Sequence, residues 1–217
     1  ERNFGEADEA GGIFQRFHLV IVGGGTRGVE LAGELGWYTR KLAARYRIDP
    51  STVTIDLIEA MPRLLPMLPE SASQLAQERL RSLGVNVLLD RSFVKEDREQ
   101  VYLNGKQVQT KTVVWTVGTR GNSLLETIKG LTLDQRGRIK VDECLRAKCH
   151  ENVYALGDIA ATEFSGMAQT ALYDGQFAAR VLATALHHQP APEYLPPVPV
   201  IAVPVGPKWA IVLRNGK

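Results

Sequence analysis

The chain alternates short apolar runs with longer segments in which apolar residues recur at helical spacing. Phe17-His18-Leu19-Val20-Ile21-Val22 runs into Gly23-Gly24-Gly25, the pattern of a buried parallel strand entering a tight turn. After the turn, Val29, Ala32, Gly33 and Gly36 fall at helical spacing, and Leu31, Leu35, Tyr38 and Leu42 carry the period to Tyr46. Asp49-Pro50-Ser51 ends that helix. A second apolar strand is predicted over Val53–Ile58 with Glu59 at its carboxyl end, and Pro62, Pro66 and Pro69 mark the loop that follows. Leu75, Leu80 and Leu83 predict a helix over 71–83, which Gly84 caps before a third strand at Val85–Leu89.

Between Phe93 and Val108 the pattern alternates around Asn104-Gly105, a type I′ turn signal, and predicts an antiparallel hairpin laid on the sheet. Lys111–Val117 returns as an apolar strand that closes at Gly118. Strands alternating with helices of this size imply an α/β, doubly wound domain over 16–118 with an inserted hairpin. From Thr119 the pattern loosens. It predicts a short strand at Arg138–Val141, a strand at Asn152–Leu156 before Gly157-Asp158, and a helix over Met167–His187. That helix carries Ala171, Leu172, Ala178, Ala179, Leu182 and Leu186 on one broad apolar face, which is expected to seek cover on another element or another copy, as in a homo-oligomer. Five prolines between Pro190 and Pro199 predict an extended linker, and Val200–Leu213 is a last apolar stretch. The expected organisation is therefore 16–118, 119–189, and 190–217 as linker and start of a C-terminal interface region.

Composition narrows the function. At 44% hydrophobic and 23% charged residues the chain can bury a core, which excludes a disordered or fibrous protein. A net charge of +2 leaves no basic stripe of the kind that neutralises phosphates, so nucleic acid is not an expected partner. No apolar run approaches the roughly 18 residues that span a bilayer, and the acidic Glu1–Ala10 segment lacks an apolar signal core. A cytoplasmic location is expected. Cys144 and Cys149 fit neither a CxxC redox pair nor a zinc knuckle, and no metal site is expected.

The chemistry begins at Gly23-Gly24-Gly25-Thr26-Arg27-Gly28, a G-x-G-x-x-G sequence placed directly after a strand and at the start of a helix. In that setting Gly23 permits the turn, Gly25 lets the backbone approach a pyrophosphate, and Gly28 lets helix and strand pack closely, while the helix N–H groups face the anion. The reading is a Rossmann-like NAD(H)-binding domain. Glu59 closes the second strand, where a carboxylate accepts hydrogen bonds from both ribose hydroxyls of an adenosine and repels a 2′-phosphate, favouring NADH over NADPH. It follows Gly28 by 31 residues, so a longer first helix is expected, and the nearby Arg63 counts toward NADPH. A methyltransferase also uses a Gly-rich first turn and an acid after the second strand.

Two further runs, Thr112-Val113-Val114-Trp115-Thr116-Val117-Gly118 and Asn152-Val153-Tyr154-Ala155-Leu156-Gly157-Asp158, follow the Gly-rich unit in that order. Together they resemble the flavoprotein pyridine nucleotide–disulfide oxidoreductase superfamily. Gly-Val-Glu-Leu-Ala-Gly-Glu-Leu at Gly28–Leu35, Ala168-Gln169-Thr170-Ala171 and Val205-Gly206-Pro207-Lys208 resemble its type II NADH dehydrogenase branch. The resemblance implies that residues after Thr119 are the C-terminal part of an FAD domain. It implies FAD contacts at Gly157 and Asp158, with Asp158 accepting from the ribitol, and further cofactor contacts at Gly118, Ala168 and Gln169. The helix starting near Met167 would point its N-terminus at the flavin pyrimidine edge. Glu30 would lie beside the nicotinamide and help set its angle to the flavin. The activity implied is hydride transfer from NADH to FAD and on to a quinone or another acceptor, in an enzyme peripheral to the membrane. Tyr173-Asp174 stand where the quinone-reducing branch carries two glutamines, which leaves the acceptor open. Only 16 residues precede Phe17, too few for the first FAD-binding strand of the family, so the chain is expected to be an internal piece of a larger enzyme. A disulfide reductase with its CxxC elsewhere and a non-catalytic NAD-binding module are the rival readings.

Overall fold

A computed structural model describes residues 17–148 and 150–214. The acidic segment Glu1–Ala10, the domain start at Arg16, and Cys149 lie outside the described residues. The chain divides into two compact units, one up to Gly118 and resuming at Ile201, the other Thr119–Val200.

The first unit is built on four parallel strands in the order β3-β2-β1-β7, formed by β1 (His18–Val22), β2 (Thr54–Ile58), β3 (Val85–Leu88) and β7 (Thr112–Trp115). This is the Rossmann-like sheet that the apolar runs predicted, and its two faces are covered by different kinds of structure. Helices α1 (Thr26–Tyr46) and α2 (Glu70–Ser82) lie on one face, where Val29, Ala32, Ala76 and Leu80 pack against Ile21, Ile55, Leu57 and Val85. The other face carries an antiparallel meander, β4 (Phe93–Glu96), β5 (Gln100–Leu103) and β6 (Lys106–Gln109). Its Val101, Leu103 and Val108 bury Val20, Val22 and Ile58. The expected hairpin turns at Asn104-Gly105, with Leu103 opposite Lys106, and gains a third strand through β4. Side chains such as Val20, Ile21 and Leu57 are fully buried, and each contributes about 1.5–3 kcal/mol of transfer free energy.

The long interval between the Gly-rich turn and Glu59 is taken up by α1, 21 residues, and by a 3-10 turn at Pro50–Thr52 whose N-cap Asp49 accepts from the Ser51 N–H at 2.9 Å. Val200–Leu213 forms a hairpin, β8 (Ile201–Pro204) with β9 (Ala210–Leu213), packed on α1 and α2. A Cβ on Gly33 of α1 would meet the Gly206 nitrogen at 2.7 Å, so the helix approaches the hairpin backbone as closely as only glycine allows.

The second unit contains α3 (Leu124–Thr127) and α4 (Ala168–Leu186). Where strands were predicted at 138–141 and 152–156, single bridges stand instead, Ile139 with Leu133 and Ala160, Val141 with Ala147, and Tyr154 with Arg146. Two Asp-x-x-x-Arg turns explain the shortness. Asp134 accepts from the Arg138 backbone N–H and side chain, each at 2.8 Å, and Asp142 accepts from those of Arg146, each at 2.9 Å. A carboxylate that gathers nearby backbone N–H groups bends the chain and competes with a ladder.

Helix α4 buries one side and leaves much of the expected apolar face uncovered within the chain. Thr170, Asp174, Phe177, Ala178 and Val181 are buried, whereas Leu172 and Leu186, counted on the apolar face from sequence, are 67% and 80% exposed. The physical reason is Asp174, fully buried because both its oxygens find donors. Tyr194, Leu195 and Val200 of the proline-rich segment hydrogen-bond to this helix. Cys144 is half-buried beside the Leu145, Phe177 and Val181 cluster. Among the described residues no helix is long and apolar enough to cross a membrane.

Asp56 is a buried acid in the middle of β2. Its Oδ2 lies 3.2 Å from His18 Nε2, and its Oδ1 accepts from Asn86 Nδ2 at 2.8 Å. Burial alone would raise its carboxyl; His18, Asn86 and the charge of Lys106 outweigh that and hold it below the usual range. A depressed folded-state value stabilises the fold above the unfolded value of about 3.9 and loses that contribution as pH falls through the folded value. All three tryptophans, Trp37, Trp115 and Trp209, belong to the first unit, so their fluorescence reports its unfolding. Urea midpoints from that signal are expected to drop below about pH 4, and more steeply in the parent protein than in Asp56→Asn. Parallel pH profiles would show that the pair contributes nothing.

Candidate functional site

The turn after β1 is set by three backbone constraints. Gly23 sits at φ +114° and donates its N–H to Ile58 O at 2.8 Å. A Cβ on Gly28 would stand 1.8 Å from Gly23 O, so the first turn of α1 lies directly on the turn that precedes it. Thr116 Oγ1 donates to both Val22 O and Gly23 O, each at 2.9 Å, and ties the turn to the end of β7. Gly25 is the opposite case: it is exposed, serves as N-cap with no capping side chain, and has no atom within 4 Å of a Cβ built on it. Open backbone at a helix N-terminus, where the first N–H groups have no intrahelical partner, is a place for an anion.

Glu59 closes one side of this turn. Its Oε2 accepts from Gly24 N at 2.6 Å and its Oε1 from Met61 N at 2.8 Å. A carboxylate has about four acceptor positions, so one on each oxygen remains for further donors. The loop beyond returns to the turn, with Leu65 N donating to Gly24 O at 2.8 Å. Gly24 is hemmed in between Leu64 and Glu59, whose atoms would lie 2.6 and 2.8 Å from a Cβ there. Arg63 is held by its own loop, donating from Nη1 to Leu68 O at 2.9 Å and Leu65 O at 3.3 Å, and from Nη2 to Pro66 O at 2.6 Å. Glu30 lies in the second turn of α1, half-buried; burial pushes its carboxyl up, while Arg27 pulls it down. Gly118 follows β7 in the left-handed region at φ +59°.

In the second unit, Gly157 opens a 3-10 turn, Gly157–Ile159, at φ +64°. A Cβ on it would come 3.0 Å from the Ala171 Cβ, so this close approach to α4 suits glycine alone. Asp158 next to it is exposed. Ala168 and Gln169 are the first two residues of α4, with Met167 as N-cap. The Gln169 amide is bracketed on Val200, donating to its O at 3.0 Å and accepting from its N at 3.2 Å. Gly23, Gly25, Gly28, Glu30, Glu59 and Gly118 thus lie in the first unit, and Gly157, Asp158, Ala168 and Gln169 in the second. Sequence reading missed the roles of Gly24 and Thr116, and treated Arg63 only as a counter-signal and Asp174 only as a departure. Thr116 stood inside a quoted motif, and its place after a β-strand was the available signal.

Residues 4–175 match the family model described as pyridine nucleotide-disulphide oxidoreductase, well over half of the chain. The chain belongs to this family. Membership removes the methyltransferase reading. Among the family's curated members, the chain is 30% identical over 149 residues to a type II NADH:quinone oxidoreductase of Haemophilus influenzae, covering 67% of this chain and 34% of that protein. It is 31% identical over 180 residues to the type II NADH:quinone oxidoreductase Ndh of Mycobacterium tuberculosis, covering 77% and 39%. The chain therefore spans less than half the length of these relatives. Among solved structures, NDH2 of Plasmodium falciparum in complex with NADH aligns with a TM-score of 0.81 at 17% identity over 92% of this chain and 57% of that one, a likeness of fold.

Gly25 and Gly28 differ in what a side chain there would meet. Gly28→Ala forces a methyl group into Gly23 O and is expected to destabilise the first unit by on the order of 3 kcal/mol in tryptophan-monitored urea unfolding. Gly25→Ala meets nothing and is expected to change the midpoint little. Equal effects of the two substitutions would show that the turn is not built as described.

Proposed function

We propose that the chain carries the NADH site and part of the FAD site of an FAD-dependent NADH dehydrogenase, which delivers electrons to a quinone or another acceptor. The observation that carries this reading is the state of three residues around the Gly-rich turn. Gly25 leaves open backbone at the N-terminus of α1, Glu59 keeps acceptor capacity after fixing Gly24, and Arg63 is engaged by the carbonyls of residues 65, 66 and 68. The pyrophosphate is received by the α1 N-terminus, and Glu59 accepts from the adenosine ribose hydroxyls. A 2′-phosphate there would face the Glu59 carboxylate with Arg63 already committed, which selects NADH over NADPH.

The second unit supplies the flavin side of the site. Asp158 accepts from the ribitol, Gly157 keeps the chain clear of the flavin, and the N-terminus of α4 at Ala168 and Gln169 offers positive dipole to the pyrimidine edge. The residues present fit that group in one testable respect: the Gly157 turn is held so that an exposed carboxylate follows a position where only glycine is accommodated. When bound, flavin supplies a two-electron acceptor for the hydride of NADH. Glu30, half-buried beside the α1 turn, orients the nicotinamide, and no side chain has to add or remove a proton. The location that suits this activity is the cytoplasm, at the membrane surface where the acceptor is a lipid-soluble quinone.

Calorimetric titration is expected to show NADH binding at least about tenfold tighter than NADPH, roughly 1.4 kcal/mol, with Glu59→Ala erasing most of that preference. Equal affinities in the parent protein would sink the selectivity argument. In the full-length enzyme, NADH added without oxygen is expected to bleach the visible flavin band, and loss of bleaching in Gly25→Ala with retained fold would assign the effect to the nucleotide cradle.

A further inference from the structure

The proline-rich segment 190–200 is fastened to α4 at three levels. Gln169 brackets the Val200 peptide, Tyr173 Oη accepts from Leu195 N at 3.3 Å, and Tyr194 Oη donates to Asp174 Oδ1 at 2.6 Å. The Tyr194 ring stands edge-on to Phe177 at 5.0 Å between centroids and tilted against Tyr173 at 5.7 Å. Asp174 is completely buried, and its second oxygen, Oδ2, accepts from the Gly157 N–H at 2.9 Å. One carboxylate thereby joins a strap to the turn that presents Asp158. Burying a charge is costly unless donors surround it, and an apolar side chain would fill a helix-facing position at lower cost. Burial, and the carboxylate beside it, push the Tyr194 hydroxyl up, which keeps it a neutral donor. The N–H of the Leu156–Gly157 peptide is fixed by Asp174, and Gly157, at φ +64°, turns the chain from there into Asp158.

We propose that Asp174 and Tyr194 are positioning residues for Asp158: the pair fixes the Gly157 peptide against the 190–200 strap and so holds the Asp158 carboxylate where the flavin ribitol meets it. This rests on the flavin reading given above. The strap is then a working part of the flavin site.

The test uses the flavin-loaded enzyme that carries this chain, with Tyr194→Phe, Asp174→Asn, Asp158→Asn and a control, Leu145→Ala, which opens the apolar cluster that Tyr194 packs against and leaves the Tyr194 hydroxyl and the Asp174 carboxylate themselves intact. Tyr194→Phe keeps the ring and removes only the hydroxyl, so it reports even where Asp174→Asn fails to fold. The expected result is that Tyr194→Phe weakens FAD binding several-fold, speeds amide exchange at Gly157 at least about tenfold, and moves the flavin reduction potential in the same direction as Asp158→Asn. Leu145→Ala is expected to lower stability and leave the potential in place. Parent-like affinity, exchange and potential in Tyr194→Phe would overturn the proposal while leaving the flavin reading intact, as would an equal shift of potential in Leu145→Ala. A parent enzyme that takes up no FAD would overturn the flavin reading and the proposal together.

Discussion

The Glu59 carboxylate is the point on which the first unit closes. Its backbone extends the ladder between β2 and β3, with N–H to Leu88 O at 2.9 Å and its own O accepting from Arg91 N at 3.0 Å. Its side chain crosses to the Gly-rich turn and to Met61. Three segments distant in sequence therefore meet on one residue, and the geometry of the turn depends on a hydrogen bond to a charged acceptor, worth about 1.5–3 kcal/mol. The same residue that builds the turn keeps a free acceptor position on each oxygen, so its structural role leaves acceptor capacity unspent.

The first unit also shows how one parallel sheet accommodates two kinds of cover. On the helical face, small residues of α1, Ala32, Gly33 and Gly36, let other elements approach its axis. On the other face the meander supplies a flat apolar surface, and the polar group under it, Asp56, is tolerated because His18 and Asn86 meet it. The buried acids of the two units, Asp56 and Asp174, follow the same rule: each is inside the protein because two partners, one on each oxygen, were already there.

Most of the fold of the first unit could be read in the chain, because buried parallel strands and amphipathic helices each leave a periodic mark and glycines punctuate them. The Gly-rich turn was legible for the same reason, since Gly23 and Gly28 are demanded by local backbone geometry. What could not be read depends on partners far along the chain. Asp174 resembles a solvent-facing helix residue until Gly157 and Tyr194, 17 and 20 residues away, are seen to donate to it. With Asp174 inward, Leu172 and Leu186 stand outward. The strands expected near Ile139 and Tyr154 failed because two Asp-x-x-x-Arg turns, whose bonds are local but invisible to apolar periodicity, bend the chain between single bridges. Arg63 was read by proximity alone, and its engagement with the carbonyls of Leu65, Pro66 and Leu68 left no periodic mark.

The hairpin β8–β9 gives the chain an unusual order of completion. Helix α1 carries Gly33 so that the backbone at Val205 and Gly206 can press on it, yet that backbone is 87 and 88 residues beyond Gly118, where the rest of the unit ends. At a translation rate of about 5–20 residues per second, roughly 5–20 seconds pass between the two. During that interval the whole of the second unit has left the ribosome while the first waits with the Gly33 surface bare. The first unit is closed only once the second has been made, and until then the Gly33 face of α1 lacks its cover.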